Sequence, residues 1–174
     1  MQVMKDRLKL VFWDWSDTLI SIKTLMNFHK EKSRVAKESG IYLDMMQELD
    51  KTGIEFIPYA WSLVMKFAQN EAGAKSGIKQ VIVTNASTKE MAEQLLYAPY
   101  HNFDLILTAD KFKPKPDPEM FLYALNQLDI KPSEAIFIGD SESDLWAARK
   151  MEIPFYKVNL TMQSYQTISS ALFN

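Results

Sequence analysis

Apolar residues along this chain come in two rhythms. Short runs rich in β-branched and aromatic residues recur at Leu8–Trp13, Gln80–Thr84 (QVIVT), Phe103–Thr108 (FDLILT), Ala135–Gly139 (AIFIG) and Pro154–Val158. They predict buried strands, the last one edge-like. Between them the spacing is helical. Ala60, Val64, Phe67 and Ala68 follow i, i+4, i+7, i+8 behind Pro58, which suits a first helical turn. Ser87-Thr88-Lys89-Glu90 is a capping box opening a helix to about Tyr97. Asp117 and Pro118 are placed to cap and start a helix running to about Leu128. A further helix follows Gly139 to about Met151, and Ser164–Leu172 predicts a terminal one. Earlier, Ile20–Glu38 and Tyr42–Lys51 read as helices stopped by Ser39-Gly40 and Thr52-Gly53. Strands alternating with helices imply a parallel sheet covered on both faces.

Composition narrows the function. With 174 residues, 47% hydrophobic and 24% charged, the chain suits one globular domain of ordinary make-up. It has no Cys, so disulfides, thiolate zinc sites and cysteine nucleophiles are out. Its two His, His29 and His101, read as surface residues and cannot make a site of three imidazoles. A net charge of −2 gives no basic field for nucleic acid. No stretch matches the roughly 20 apolar residues of a membrane span, and no secretory leader is evident at the first residues. The expectation is a cytoplasmic protein.

Ligands of parallel α/β sheets bind beyond the carboxyl ends of the strands. Just past the first predicted strand stand Asp14, Trp15, Ser16, Asp17 and Thr18; past the second, Thr84 and Asn85; a few residues past the third, Lys113-Pro114-Lys115-Pro116-Asp117; past the fourth, Gly139-Asp140-Ser141-Glu142-Ser143-Asp144. Converging there, Asp14, Asp140 and Asp144 would repel one another. One Lys cannot balance them, whereas a divalent cation can, and an all-oxygen site suits Mg²⁺. Lys113, Thr84, Asn85 and the N–H groups after Asp14 could hold phosphate oxygens. Asp14 would be a covalent nucleophile. Trp13 reads as core, and Trp15 as lining a substrate pocket. Lys111 and Lys115 read as a solvated run around Lys113. GDSES lacks the closing Gly of a nucleophile elbow, and the Lys precedes the GD pair, unlike the order in receiver domains.

Four strand ends in this order, VFWDWSDTL, VIVTN, KPKPD and IFIGDSESD, resemble the motifs of the haloacid dehalogenase superfamily, in its phosphoglycolate-phosphatase-like branch with a reduced helical cap. The resemblance implies a Rossmann-like three-layer α/β sandwich with a mainly parallel five-stranded sheet, its core formed by residues 1–19 and 58–174, with residues 20–57 inserted as a small helical cap. It implies a Mg²⁺-dependent phosphohydrolase acting through aspartyl phosphate on Asp14, with Lys113 as catalytic lysine. The metal ligands would be Asp14, Asp140, Asp144 and the backbone carbonyl of Ser16. A small phosphorylated substrate is the expected partner, and the short cap leaves room for a protein partner. The pattern departs at Ser16, where the family has an Asp that protonates the leaving group and later activates water. Asp17, one position on, would face the other side of an extended segment. The activity is therefore expected to be slow, and the alternative is an impaired pseudoenzyme with a binding or regulatory role.

Overall fold

The computed structural model describes residues 7–21, 57–69, 76–96, 98 and 102–173. The strands are β1 (Leu10–Trp13), β2 (Lys79–Thr84), β3 (Leu105–Thr108), β4 (Ala135–Gly139) and β5 (Phe155–Lys157). They form one sheet in the order β3-β2-β1-β4-β5, every pair parallel. The three inner strands are the near-continuous apolar runs, as a sheet buried on both faces requires. The helices are α1 (Pro58–Ala68), α2 (Thr88–Leu95), α3 (Glu119–Leu128), α4 (Glu142–Lys150) and α5 (Met162–Phe173).

Side-chain parity on β1 divides the core. Val11, Trp13 and Trp15 point to one side and pack with Trp61, Val64 and Phe67 of α1, Met91 of α2, and Tyr165, Ile168 and Leu172 of α5. Leu10 and Phe12 point to the other side, toward Met120, Phe121, Ala124 and Leu125 of α3 and Ala147 and Ala148 of α4. Phe121 stacks between Phe12 and Phe137 with centroid separations of 4.9 and 5.0 Å. Gln80, a polar residue within β2, is buried but satisfied: it accepts from Trp13 Nε1 at 2.9 Å and donates to the carbonyl of Val64 at 3.1 Å.

The capping box read at Ser87 holds, and the helix read after Gly139 starts in the same way at Ser141. Ser87 with Glu90, and Ser141 with Asp144, form reciprocal capping boxes. The start of α3 is shifted: Pro118 precedes the first helical residue, and Asp117 accepts from the N–H of Glu119 at 3.0 Å. The helix read from Ile20 does not begin there, since Ile20 forms a β-bridge with Ser16 and Ser21 is not helical; the rest of the two helices read up to Lys51 lies outside the described residues, as do His29 and His101. The ends of that segment meet, since the Ile57 N–H donates to the carbonyl of Leu19 at 3.0 Å. No helix among the described residues is long and apolar enough to cross a membrane.

Candidate active site

In this strand order the chain leaves β1 toward β2 on one side and β4 lies on the other. The switch point therefore falls between β1 and β4, where ligands of open parallel sheets bind. Asp14 follows β1 directly, and its N–H donates to the carbonyl of Ile138 at 2.9 Å, tying the two strand ends together. Asp140 follows β4, and Asp144 lies in the first turn of α4. One carboxylate oxygen from each of the three lies within 4.8 Å of the other two.

Asp14 is held at both oxygens. Thr18 Oγ1 donates to Oδ2 at 3.0 Å, and Lys115 Nζ donates to Oδ1 at 2.5 Å. The same ammonium donates to the carbonyl of Val83 at 2.9 Å, lies 2.7 Å from Asp144 Oδ1, and sits 5.5 Å from the centre of the Phe137 ring. Asp144 is fully buried and its Oδ2 accepts from Ser141 N and Oγ at 3.0 and 2.6 Å. Its other oxygen faces the Lys115 ammonium. Gly139 makes room for this side chain: a Cβ there would meet Asp144 Oδ2 at 2.8 Å.

Burial raises the Asp14 carboxyl, with Lys115 opposing and Asp144 adding to the rise. Asp140 is pushed up to about 7, first by burial and then by the negative charges of Asp14, Asp144 and Asp17. Burial alone would lower the Lys115 ammonium, but Asp14 and Asp144 outweigh it and hold it above the ordinary lysine value. Three carboxyl groups, two of them buried, thus lie close together beside one buried ammonium, which meets Asp14 and Asp144. A hard divalent cation fits that donor set: the ligands are all oxygen, and the charge is unbalanced toward negative.

The structure corrects three sequence expectations. Lys113 is exposed, with its backbone N–H donating to Glu119 Oε2 at 2.8 Å, and Lys115 occupies the site. Lys-Pro-x-Pro can be laid on this segment in two registers, starting at Lys113 or at Lys115. The second register puts its closing Pro at the edge of α3, and that is the signal that could have chosen it. Trp15 lies in the core and not on the surface of the rim. It is fully buried, donates to Gln94 Oε1 at 2.5 Å and packs edge-on against Trp61. It shares the parity of Trp13, expected and found in the core. Asp17 does not follow an extended segment, since its φ is +55° in a turn, so the argument from alternating faces does not apply to it.

Thr84 ends β2, buried, its Oγ1 accepting from the Ala86 N–H at 3.1 Å. Asn85 stands beside it with its amide on the backbone of Lys115. Ser16 is half-buried at the start of the turn beyond Asp14, in a β-bridge with Ile20. Tyr165 escapes a reading of the sequence. From α5 its hydroxyl donates to the carbonyl of Thr18 at 2.6 Å, steadying the residue that holds Asp14. Burial, and then the charges of Asp140, Asp14 and Asp17, raise its pKa. Nothing local in the sequence marks a tyrosine so far along the chain.

A family model described as haloacid dehalogenase-like hydrolase matches residues 23–158. The chain is 41% identical over 69 residues to the pyrophosphatase PpaX of Bacillus velezensis, covering 39% of this chain and 32% of that protein. It is 33% identical over 76 residues to a phosphoglycolate phosphatase of Psychrobacter arcticus, covering 42% of this chain and 33% of that one. It thus spans about a third of the length of these curated relatives. A HAD-superfamily hydrolase from Geobacter sulfurreducens shares the fold, with TM-score 0.63 and 21% identity over 86% of this chain and 89% of that one. So does a HAD family enzyme from Bacteroides thetaiotaomicron, solved with magnesium and inorganic phosphate, with TM-score 0.57 and 20% identity over 86% and 93%.

Proposed function

The chain belongs to the haloacid dehalogenase-like hydrolases, and on that premise we propose that it is a Mg²⁺-dependent phosphohydrolase working through a phosphorylated Asp14. The observation that carries this is the convergence of Asp14, Asp140 and Asp144 on one another with Lys115 among them. Relatives that act on a phosphate ester and on pyrophosphate support the substrate class, a small phosphorylated molecule. The cytoplasm is the compartment we assign to it.

Asp14, Asp140, Asp144 and the carbonyl of Ser16 would hold Mg²⁺, which when bound supplies positive charge against the phosphate and the carboxylates. The residues of the chain do the rest. Thr18 and Lys115 fix the Asp14 carboxylate, so attack on phosphorus starts from a set orientation. An Asp14 oxygen bonds to phosphorus as the bond from phosphorus to the leaving oxygen breaks, and the leaving oxygen carries away the electron pair. Lys115 balances charge at the reacting carboxylate. Water then adds to the phosphorus of the acyl phosphate, releasing inorganic phosphate and restoring Asp14. Thr84 stands at the neighbouring strand end as a phosphate ligand. The Ser16 hydroxyl, next to Asp14's loop, cannot protonate a leaving group or deprotonate water as a carboxyl group can. General acid–base help is worth about 10²–10⁴ in rate, so phosphoryl donors that release a stable anion should phosphorylate Asp14 readily while water attack is slow.

The test uses p-nitrophenyl phosphate and acetyl phosphate. Expected are a burst followed by slow turnover in Mg²⁺, phosphate trapped on Asp14, loss of both in EDTA, and loss in Asp14→Asn. Ser16→Asp should speed the slow phase. Turnover undiminished in EDTA overturns the metal assignment. No burst with either reagent, and no gain in a folded Ser16→Asp variant, overturns the enzyme reading in favour of a pseudoenzyme.

A further inference from the structure

Asn85 carries more structural work than its place at a strand end suggests. Its Oδ1 accepts from the backbone N–H of Lys115 at 2.8 Å, and its Nδ2 donates to the carbonyl of the same residue at 3.2 Å. One side-chain amide thus satisfies both backbone groups of one residue, thirty positions away. The far end of that residue is held by the same strand end: Lys115 Nζ donates to the carbonyl of Val83 at 2.9 Å. The end of β2 therefore grips Lys115 at its base and at its tip, and between those grips the ammonium meets Asp14 and Asp144.

A lysine on a loop does not keep such a position unaided. Its side chain has rotamer entropy to lose, and its ammonium must stay centred between two carboxylates that move with β1 and α4. Fixing its backbone origin removes the largest source of drift. Resting on the phosphohydrolase reading, we propose that Asn85 is a positioning residue for Lys115 and is not a substrate contact. The sequence expectation put Asn85 among the phosphate ligands. Its amide is turned instead to the loop that carries the lysine.

The consequence is a particular kinetic pattern. A misplacement of about 1 Å can cost about 10²-fold in rate. Asn85→Ala should therefore lower kcat for p-nitrophenyl phosphate by about 10–100-fold and change KM by less than about 3-fold, since ground-state contacts remain. In a Lys115→Met background the same substitution should cost nothing further, because the group it positions is gone. Hydrogen exchange of the Lys115 amide, read by NMR, should speed up by at least about 10-fold in Asn85→Ala while the amides of β1 and β4 stay protected. A raised KM at unchanged kcat, or losses that multiply in the double variant, would make Asn85 a substrate contact and overturn the proposal. Unchanged exchange at Lys115 would overturn it as well. If the wild-type protein turns over neither phosphate, the enzyme reading fails separately, and the exchange measurement still decides the clamp. Should Asn85→Ala not fold, Asn85→Asp keeps the acceptor, loses the donor, and is read the same way.

Discussion

At the amino ends of the strands, Lys9 meets Glu134 at 2.6 Å and Lys79 meets Asp104 at 2.8 Å. At the carboxyl ends, Lys115 meets Asp14 at 2.5 Å and Asp144 at 2.7 Å. The distances are alike, but the settings are not. Lys9 and Lys79 keep 58% and 41% of their side-chain surface in water, and Lys115 keeps 2%. At the amino rim each ammonium has its own carboxylate, so charge cancels. At the carboxyl rim Asp14 and Asp144 share one ammonium, and Asp140 adds a third carboxyl group beside them. Exposed pairs contribute about 0–1 kcal/mol. A buried, unbalanced cluster works against the folded state unless something else binds there. The amino rim is electrically balanced and nearly neutral for stability, and the carboxyl rim gives some stability up for binding and chemistry.

Removing the lysine from each rim gives the largest expected contrast. Lys115→Met leaves two buried carboxylates without their cation and should cost about 3–5 kcal/mol in EDTA. Lys9→Met should cost less than about 1 kcal/mol. Urea unfolding at one pH measures both. Saturating Mg²⁺ should recover part of the loss in Lys115→Met and none in Lys9→Met. Equal losses at the two rims would break the contrast.

Glycines separate the rims by mechanism. Gly77, two residues before β2, has φ +81°, and a Cβ added there would have nothing within 4 Å of it. Gly77→Ala should cost about 1–2 kcal/mol of backbone strain and leave Mg²⁺ affinity alone. Gly139→Ala forces a methyl group against Asp144, itself pinned by Ser141 and Lys115. It should cost about 1–3 kcal/mol by overpacking and also weaken Mg²⁺ binding. Thermal unfolding with and without Mg²⁺ reads both effects. Unchanged Mg²⁺ affinity in Gly139→Ala would show that Asp144 has room to move.

Most of the architecture is legible in the sequence because it is encoded locally. The apolar runs, the capping box at Ser87 and the helical spacing after Pro58 each announce their element within a few residues. The alternation of strands and helices then fixes a parallel sheet, and strand ends give Asp14, Asp140 and Asp144 as one group. What escapes depends on register or on distance. Lys113 against Lys115 is a choice between two overlapping readings of one proline-rich segment, decided by where α3 begins. Nearness to Asp14 suggests a pocket role for Trp15, although parity with Trp13 sends it to the core. Asn85 and Tyr165 act through contacts with residues far along the chain, and no spacing rule reveals those.

The smallest effect is in the pH dependence of stability, and there the rims should act in different windows. Asp140 in the folded protein is pushed up to about 7 from an ordinary 3.8 by burial and by Asp14, Asp144 and Asp17. Between those values the folded state holds a proton that the unfolded state has released, so stability falls as pH rises through this range. Asp14 is raised as well and adds the same sign. At the amino rim Glu134 is lowered, by its hydrogen bond from Lys9 and then by the backbone N–H of Lys131. Its contribution is present above its ordinary value of 4.5 and is lost as pH falls below it. In EDTA, Tm should therefore decline from about pH 5 to about pH 8. Asp140→Asn should flatten that decline, leaving the remainder due to Asp14, and Glu134→Gln should change only the acid side. Because Asp140 is half exposed, water screens its share and the shift should be a few degrees at most. Mg²⁺ competes with the proton at the same carboxylates, so it should raise Tm more at about pH 8 than at about pH 5, and less in Asp140→Asn than in the wild type. A wild-type Tm that is level across this range in EDTA would mean that the carboxyl rim carries no stored repulsion, and the difference between the two rims would reduce to burial alone.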